Sequence, residues 1–313
     1  MMRMKSLFAL ILALSFLLDM NGVTAENNLE DKEIDISSKL HQAEERALQK
    51  VVAFKNLPYH LQYMNQIKLE TAAVYSQVEG KTYIELSTVE LEKLNQVHMK
   101  TLTLFNDLQG ASKQNTPLYL ESTLSNAIEF NLVIAEDGIS LFDILTAAKN
   151  ASTARDIGVE YAELMGYYYG DKFKTWDNPA DAYRHFSWNF LNSKDMNVNK
   201  SRIFGDIHEL ALAAETEAKK QDLPYAGQIT WGVLTAKDLW TSTKASLSTF
   251  NSTFDNASIM DLMNNSEGRK YSLKNYTRVS DAFYDALEID KKLISYPSEI
   301  SSTIRTQAWN GWK

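Results

Sequence analysis

With 313 residues, 44% of them hydrophobic and 23% charged, the chain has a globular composition and enough length to bury a sizeable core, which excludes wholesale disorder. A net charge of −8 and the scatter of Lys and Arg exclude a nucleic-acid-binding surface, because phosphate contacts need a dense basic patch. There is no cysteine, so a disulfide framework, a thiolate nucleophile, an iron–sulfur centre and lipid attachment to an N-terminal cysteine are all excluded.

The first residues, Met1-Met2-Arg3-Met4-Lys5, precede an apolar run from Leu7 to Leu18 and the small-residue site Val23-Thr24-Ala25. This order reads as a secretory signal peptide, residues 1–25, cleaved after Ala25. The run is shorter than the roughly 20 residues of a membrane span, and no second long apolar stretch follows. The mature chain is therefore expected to lack a transmembrane span and to be secreted or held in the cell envelope; an uncleaved N-terminal anchor is the alternative. Export without cysteine fits a bacterial envelope.

Residues 26–36 are acidic and poor in apolar side chains, and read as a flexible lead-in. From Ser37, helical spacing of Leu40, Ala43, Ala47, Leu48 and Val51 predicts a first helix, stopped at Asn56-Leu57-Pro58. A second runs from about Tyr59 to Val78. Lys81–Leu86 alternates like a strand, too short for a sheet of its own. Ser87 and Glu90 form a capping box that opens a helix closed by Gly110. Thr116-Pro117 places a cap and a first-turn proline in the favoured order for another, and helical segments fill Ile139–Lys149 and Ser152–Tyr168.

These elements predict an all-α protein in which an N-terminal helical bundle, residues 37–168, packs with a C-terminal helical domain, residues 169–313. No linker marks the boundary, so the halves can also pack as one body. Beyond the turn-rich Tyr167–Asp171, helices are expected near Asn178–Leu191, Ser201–Lys220, Ser258–Ser266 and Ser280–Ile294, with Gln228–Leu239 ambiguous.

Three polar clusters in the C-terminal half are the candidate site. In the first, Asn178-Pro179 starts a helix on which Asp181, His185, Trp188 and Asn192 share a face. An Asp one turn before a His can fix its tautomer and raise its basicity, as a general base requires; a packed histidine with a hydrogen-bonded partner fits equally well. The second is Asp206-Ile207-His208-Glu209. It is not a zinc-protease motif, since Leu212 stands where that motif needs histidine, and Gly205 suggests close approach of another helix. The third, Asp261 to Arg269, has Asp261, Asn264, Asn265 and Gly268 on its polar side, with Gly268 as a natural left-handed terminus. It can hold substrate, orient the histidines or simply cap a helix end. No G-x-S-x-G elbow supports a serine triad.

The three clusters resemble a bacterial domain family of unknown function, whose pattern is an Asp-Ala-aromatic-Arg-His-x-x-Trp helix, a later Ala-His-Glu helix and a Met-Asp-x-x-Asn-Asn-x-x-Gly-Arg segment. Asp181-Ala182-Tyr183-Arg184-His185 with Trp188, His208-Glu209, and Met260-Asp261 with Asn264-Asn265 and Gly268-Arg269 carry the likeness over residues 175–270, with Ile207 where the family has alanine. The resemblance implies no activity, only that the three segments belong to one unit. A looser likeness is to secreted bacterial phospholipases A2, through Arg184-His185 followed by aromatics, but Phe186 stands where their calcium-binding aspartate would be.

The resulting expectation is an exported hydrolase with His185, His208, Asp181, Glu209 and Asp261 as catalytic residues and Arg184, Trp188, Asn264, Asn265 and Arg269 as substrate-binding ones, its substrate open. Two histidines and three carboxylates would suffice for a divalent metal, though spacing alone does not require one. The alternative is a non-catalytic envelope binding or scaffold protein whose polar clusters form a structural hydrogen-bond network. The N-terminal bundle offers faces for a protein partner.

Overall fold

The computed structural model describes residues 25–50, 57–110 and 124–313. The expected signal peptide and the Thr116-Pro117 helix start lie outside the described residues. Among those described there are twelve α-helices and one two-stranded hairpin, so the fold is all-α. Lys39–Lys313 form one compact unit.

The helices are α1 (Ala25–Leu48), α2 (Leu57–Gln77), α3 (Thr88–Gly110), α4 (Leu124–Ala135), α5 (Leu141–Met165), α6 (Pro179–Asp195), α7 (Val198–Ala218), α8 (Tyr225–Ala245), α9 (Leu247–Thr253), α10 (Asn256–Ser272), α11 (Val279–Tyr284) and α12 (Ser302–Trp312). Between α5 and α6, β1 (Tyr168–Tyr169) and β2 (Lys172–Phe173) pair antiparallel. No described helix is long and apolar enough to cross a membrane.

Several elements differ from expectation for identifiable reasons. Helix α1 begins at Ala25, ahead of Ser37, and runs without a break to Leu48. Lys81–Leu86 holds no strand; Tyr83–Glu85 is a 3₁₀ turn, because Thr82 N–H and Oγ1 both donate to Glu85 Oε2, at 2.8 and 2.7 Å. Ile139–Lys149 and Ser152–Tyr168 merge into the single helix α5. Asn150, the polar residue between the two expected segments, is buried and donates its amide to Asn192 and Asp195 of α6 at 3.1 and 3.0 Å, leaving the helical backbone bonds intact. The ambiguous Gln228–Leu239 is the middle of α8. Helix α11 passes into a single π turn, Asp285–Ile289, where a longer helix was expected.

One continuous apolar core joins residues on both sides of position 168. Ile128, Phe130 and Val133 of α4 meet Trp188 of α6, Phe204 and Leu210 of α7, and Ile229 and Val233 of α8. Trp312 of α12 closes one end against Phe254 at 5.1 Å and Trp240 at 5.6 Å between ring centres, donating from Nε1 to Thr243 Oγ1 at 2.8 Å. Burying aromatic side chains with their polar edge satisfied is how a chain without cysteine gains stability.

Between α2, α3 and α8, fully buried His98 sits in a closed polar chain. Tyr75 Oη donates to His98 Nε2 at 2.9 Å, His98 Nδ1 donates to Thr230 Oγ1 at 2.8 Å, and Thr230 donates onward to Asn95 Oδ1 at 2.6 Å. The last step fixes the direction, since a hydroxyl giving its proton to Asn95 must accept from the imidazole. Burial pushes the His98 pKa down to about 3, which keeps the ring neutral.

Candidate active site

Helices α6, α7 and α10 bring the three polar clusters together around His185. Helix α6 starts sharply because Asn178 Oδ1 accepts from the N–H groups of Ala180 and Asp181, at 2.9 and 3.1 Å, with Pro179 at the first helical position. Just before it, Asp177 takes a left-handed backbone conformation, φ 54°, uncommon for a residue other than glycine. That turn aims the Asp177 N–H at Asp181 Oδ2, 2.8 Å away.

Contact between α6 and α10 depends on Gly268. A Cβ there would lie 2.3 Å from the Phe186 carbonyl oxygen, so only glycine allows the two backbones to meet. Gly268 is therefore an interior helical residue and not a left-handed terminus; α10 continues to Ser272. Gly205 has the role its sequence suggested: a Cβ would sit 3.0 Å from Asn189 Oδ1 and 3.4 Å from Arg269 Nη1.

His185 is 1% exposed, and its tautomer is set by a relay from α10. The Arg269 guanidinium can only donate, and its Nη1 lies 2.8 Å from Asn189 Oδ1. Asn189 must then present its amide nitrogen to Asn265 Oδ1, at 2.6 Å. Asn265 Oδ1 is left to accept from His185 Nδ1, at 3.3 Å. The proton is thereby placed on Nδ1, and Nε2 offers a lone pair.

That lone pair faces a charged notch. Arg184 Nη2 lies 2.7 Å from Nε2 and 2.6 Å from Asp181 Oδ1, to which its Nε also donates at 3.1 Å. Nε2 is 3.3 Å from Asp261 Oδ2 and 3.6 Å from Asp181 Oδ1. Asp181 thus bonds Arg184 and the Asp177 backbone, while Asn265 orients the imidazole; the expected direct Asp181–His185 hydrogen bond is replaced by Arg184 between them.

On the other side of the ring, Glu209 Oε1 stands 4.0 Å from Nδ1. Glu209 is fully buried, and neither of its oxygens has a hydrogen-bond partner among the described residues; the same holds for Asp261 Oδ1 and Asn265 Nδ2. Each such buried polar atom costs about 1–3 kcal/mol. Burial raises the Glu209 carboxyl to about 7, against the pull of His208 and Arg184. Burial and the charges of Asp181 and Glu209 hold Asp261 well above the carboxylate range. The His185 pKa is pushed well below its ordinary value by burial and then by Arg184 and His208. His208 behaves oppositely: burial disfavours its charge, but Glu129, bonded to Nδ1 at 2.8 Å, outweighs it and raises the pKa.

The remaining candidates divide. Asn264 holds the chain after α11, accepting from Ile294 N–H at 3.1 Å and donating to its carbonyl at 2.9 Å. Arg269 is buried beside Asp206 and serves the relay. Trp188 Nε1 donates to the Ala147 carbonyl at 3.1 Å, and its ring meets His208 edge-on, centres 5.5 Å apart. Sequence reasoning gave no role to Asn189, although it lies inside the first cluster, and left out Glu129, whose signal was that it is the lone charged residue of α4. Asp181, His185 and Asp261 each offer a ligand atom within 4.8 Å of the others. No protein-family model, curated protein or solved structure matches the chain.

Proposed function

We propose that the protein is a hydrolase built on His185, Asp181, Asp261 and Glu209, acting on a substrate with an anionic group. The observation that carries this reading is the convergence of unpartnered buried carboxylates on one imidazole. Packing does not require such an arrangement and stability disfavours it. The proton acceptor is Glu209 and not His185: a base works best with a pKa near the working pH, which Glu209 has and the strongly acidified His185 lacks. In the step proposed, a water gives a proton to Glu209 as its oxygen bonds the electrophilic carbon or phosphorus, and the proton passes to the leaving oxygen as that bond breaks. Arg184, its side chain 31% exposed, marks the edge open to solvent and supplies the positive charge for the substrate.

Chromogenic carboxylic and phosphoric esters test this. The parent should turn over at least one class, and Glu209→Gln should lower the rate by about 10²–10⁴-fold without lowering the unfolding midpoint. A parent inert toward every ester, or a Glu209→Gln variant as active as the parent, refutes it.

Part of the polar cluster supports the scaffold alternative for those residues alone: Asn189, Ser201 and Arg269 close on one another, and Asn264 closes on Ile294. We read the N-terminal segment as an export signal, which places the enzyme outside the cytoplasm. The mass of the exported chain should correspond to a start at Glu26; an unprocessed mass counts against cleavage. The likeness of the three motifs to the uncharacterised bacterial family supports treating them as one centre.

A further inference from the structure

We propose that Asp181, His185 and Asp261 bind a divalent transition-metal ion, and that the Arg184 guanidinium occupies the ion's position when it is absent. This inference deepens the hydrolase reading and rests on it for what the ion would do. Four observations support it, none of them a titration.

The first is geometric. At a metal–ligand length of about 2.1 Å, neighbouring ligands of a tetrahedral ion lie roughly 3.4 Å apart. Nε2 is 3.3 Å from Asp261 Oδ2 and 3.6 Å from Asp181 Oδ1, so each carboxylate already stands at about the ligand spacing from the imidazole, and the three residues offer donor atoms within 4.8 Å of one another. The second is the tautomer. A ligating imidazole usually donates its other N–H to a fixed acceptor, and the relay through Arg269, Asn189 and Asn265 places that proton on Nδ1 and leaves Nε2 free toward the carboxylates.

The third is what lies there now. Arg184 Nη2, at 2.6 Å from Asp181 Oδ1 and 2.7 Å from Nε2, is a cationic nitrogen between two of the three donors. It is one positive charge among Asp181, Asp261 and Glu209, and its partial exposure gives it a way out. The fourth is an unpartnered atom of a proposed ligand: Asp261 Oδ1 is buried without a hydrogen bond, and an ion of charge +2 beside that carboxylate would compensate it more fully than one guanidinium. One imidazole with two carboxylates suits zinc or manganese better than calcium or magnesium, which favour oxygen-only sites.

Titration of the chelator-treated full chain with Zn²⁺ or Mn²⁺, followed by calorimetry, tests the proposal without an assay of activity. One equivalent should bind. Asp181→Asn with Asp261→Asn should weaken binding by about 100-fold or more, since even outer contacts of a metal site account for 10–100-fold. Arg184→Ala should tighten it: if the guanidinium fills the notch about nine-tenths of the time, its removal gains about 10-fold. Should the double variant fail to fold, electron spin-echo modulation from an imidazole nitrogen in the Mn²⁺-loaded parent reads the His185 bond directly. No saturable binding by the parent, no nitrogen modulation, or equal affinity in the folded double variant overturns the site; weaker binding by Arg184→Ala overturns the placeholder. A parent that binds neither ion yet still hydrolyses an ester sinks the metal and leaves the hydrolase. A bound ion without hydrolysis of any ester does the reverse.

Discussion

His98 and His185 are both buried in the same helical unit and both have depressed pKa values, yet their surroundings differ. Around His98 every hydrogen bond has a direction and a partner, from Tyr75 through the ring to Thr230 and Asn95. Around His185 one side is equally ordered, through Asn265, Asn189 and Arg269. Its other surroundings include carboxylate oxygens with no hydrogen-bond partner. A closed network strengthens the fold; an open one weakens it and supplies groups able to react. On the proposed function His98 belongs to the architecture and His185 to the reacting centre, although nothing in the residue type separates them.

The largest expected effect breaks the closed side. His98→Ala leaves a cavity and strands Tyr75 and Thr230, and should destabilise the protein by about 3–5 kcal/mol in urea unfolding. A loss under 1 kcal/mol would mean that the chain of bonds contributes little. The open side should respond in the other direction. Glu209→Gln removes a buried charge while keeping its shape, and should gain about 1–2 kcal/mol at pH 8 in chelator, within the desolvation penalty of an unsatisfied group. A marked loss would show Glu209 to be a structural member of the core.

The smallest effect to resolve, and the sharpest, is a pair of opposed pH slopes. The folded pKa of His98 lies below its ordinary 6.5, at about 3. Its contribution is therefore complete above pH 6.5 and is lost as pH falls toward 3. Glu209 is raised from 4.5 to about 7, so its contribution is complete below pH 4.5 and is lost as pH rises through 7. Unfolding of the metal-free chain between pH 4.5 and 8 should show the acid-side decline made shallower in His98→Gln, where His185 still contributes, and the alkaline-side decline made shallower in Glu209→Gln, where Asp261 still contributes. Both declines unchanged in both variants would assign them to other groups.

Much of the candidate site was legible in the sequence because its signals are local. Asn178-Pro179 fixes where α6 begins, and the heptad-like spacing of Asp181, His185 and Trp188 fixes which residues face inward. The tripartite pattern also led to His208, Glu209 and Asp261. What could not be read is how these helices dock. Asn264 and Asn265 are adjacent and chemically identical, yet one clamps Ile294 and the other positions an imidazole, since successive helical residues point about 100° apart. Glu129 joins the site across a long stretch of chain and has no local marker beyond its apolar neighbours. Helix-forming alternatives were hardest to distinguish where polar residues sit mid-helix, as at Asn150, whose partners Asn192 and Asp195 both lie on α6.

The close approach at Gly268 also determines how the centre can vary. With a Cβ 2.3 Å from a main-chain oxygen, even a methyl group would prise α10 from α6 and carry Asp261 away from His185. A kindred sequence that keeps every acid and imidazole but has alanine at this point would hold the donors too far apart to share one ion. In searching for proteins of the same capability, the hydrogen at 268 is as informative as any of the charged groups it brings together.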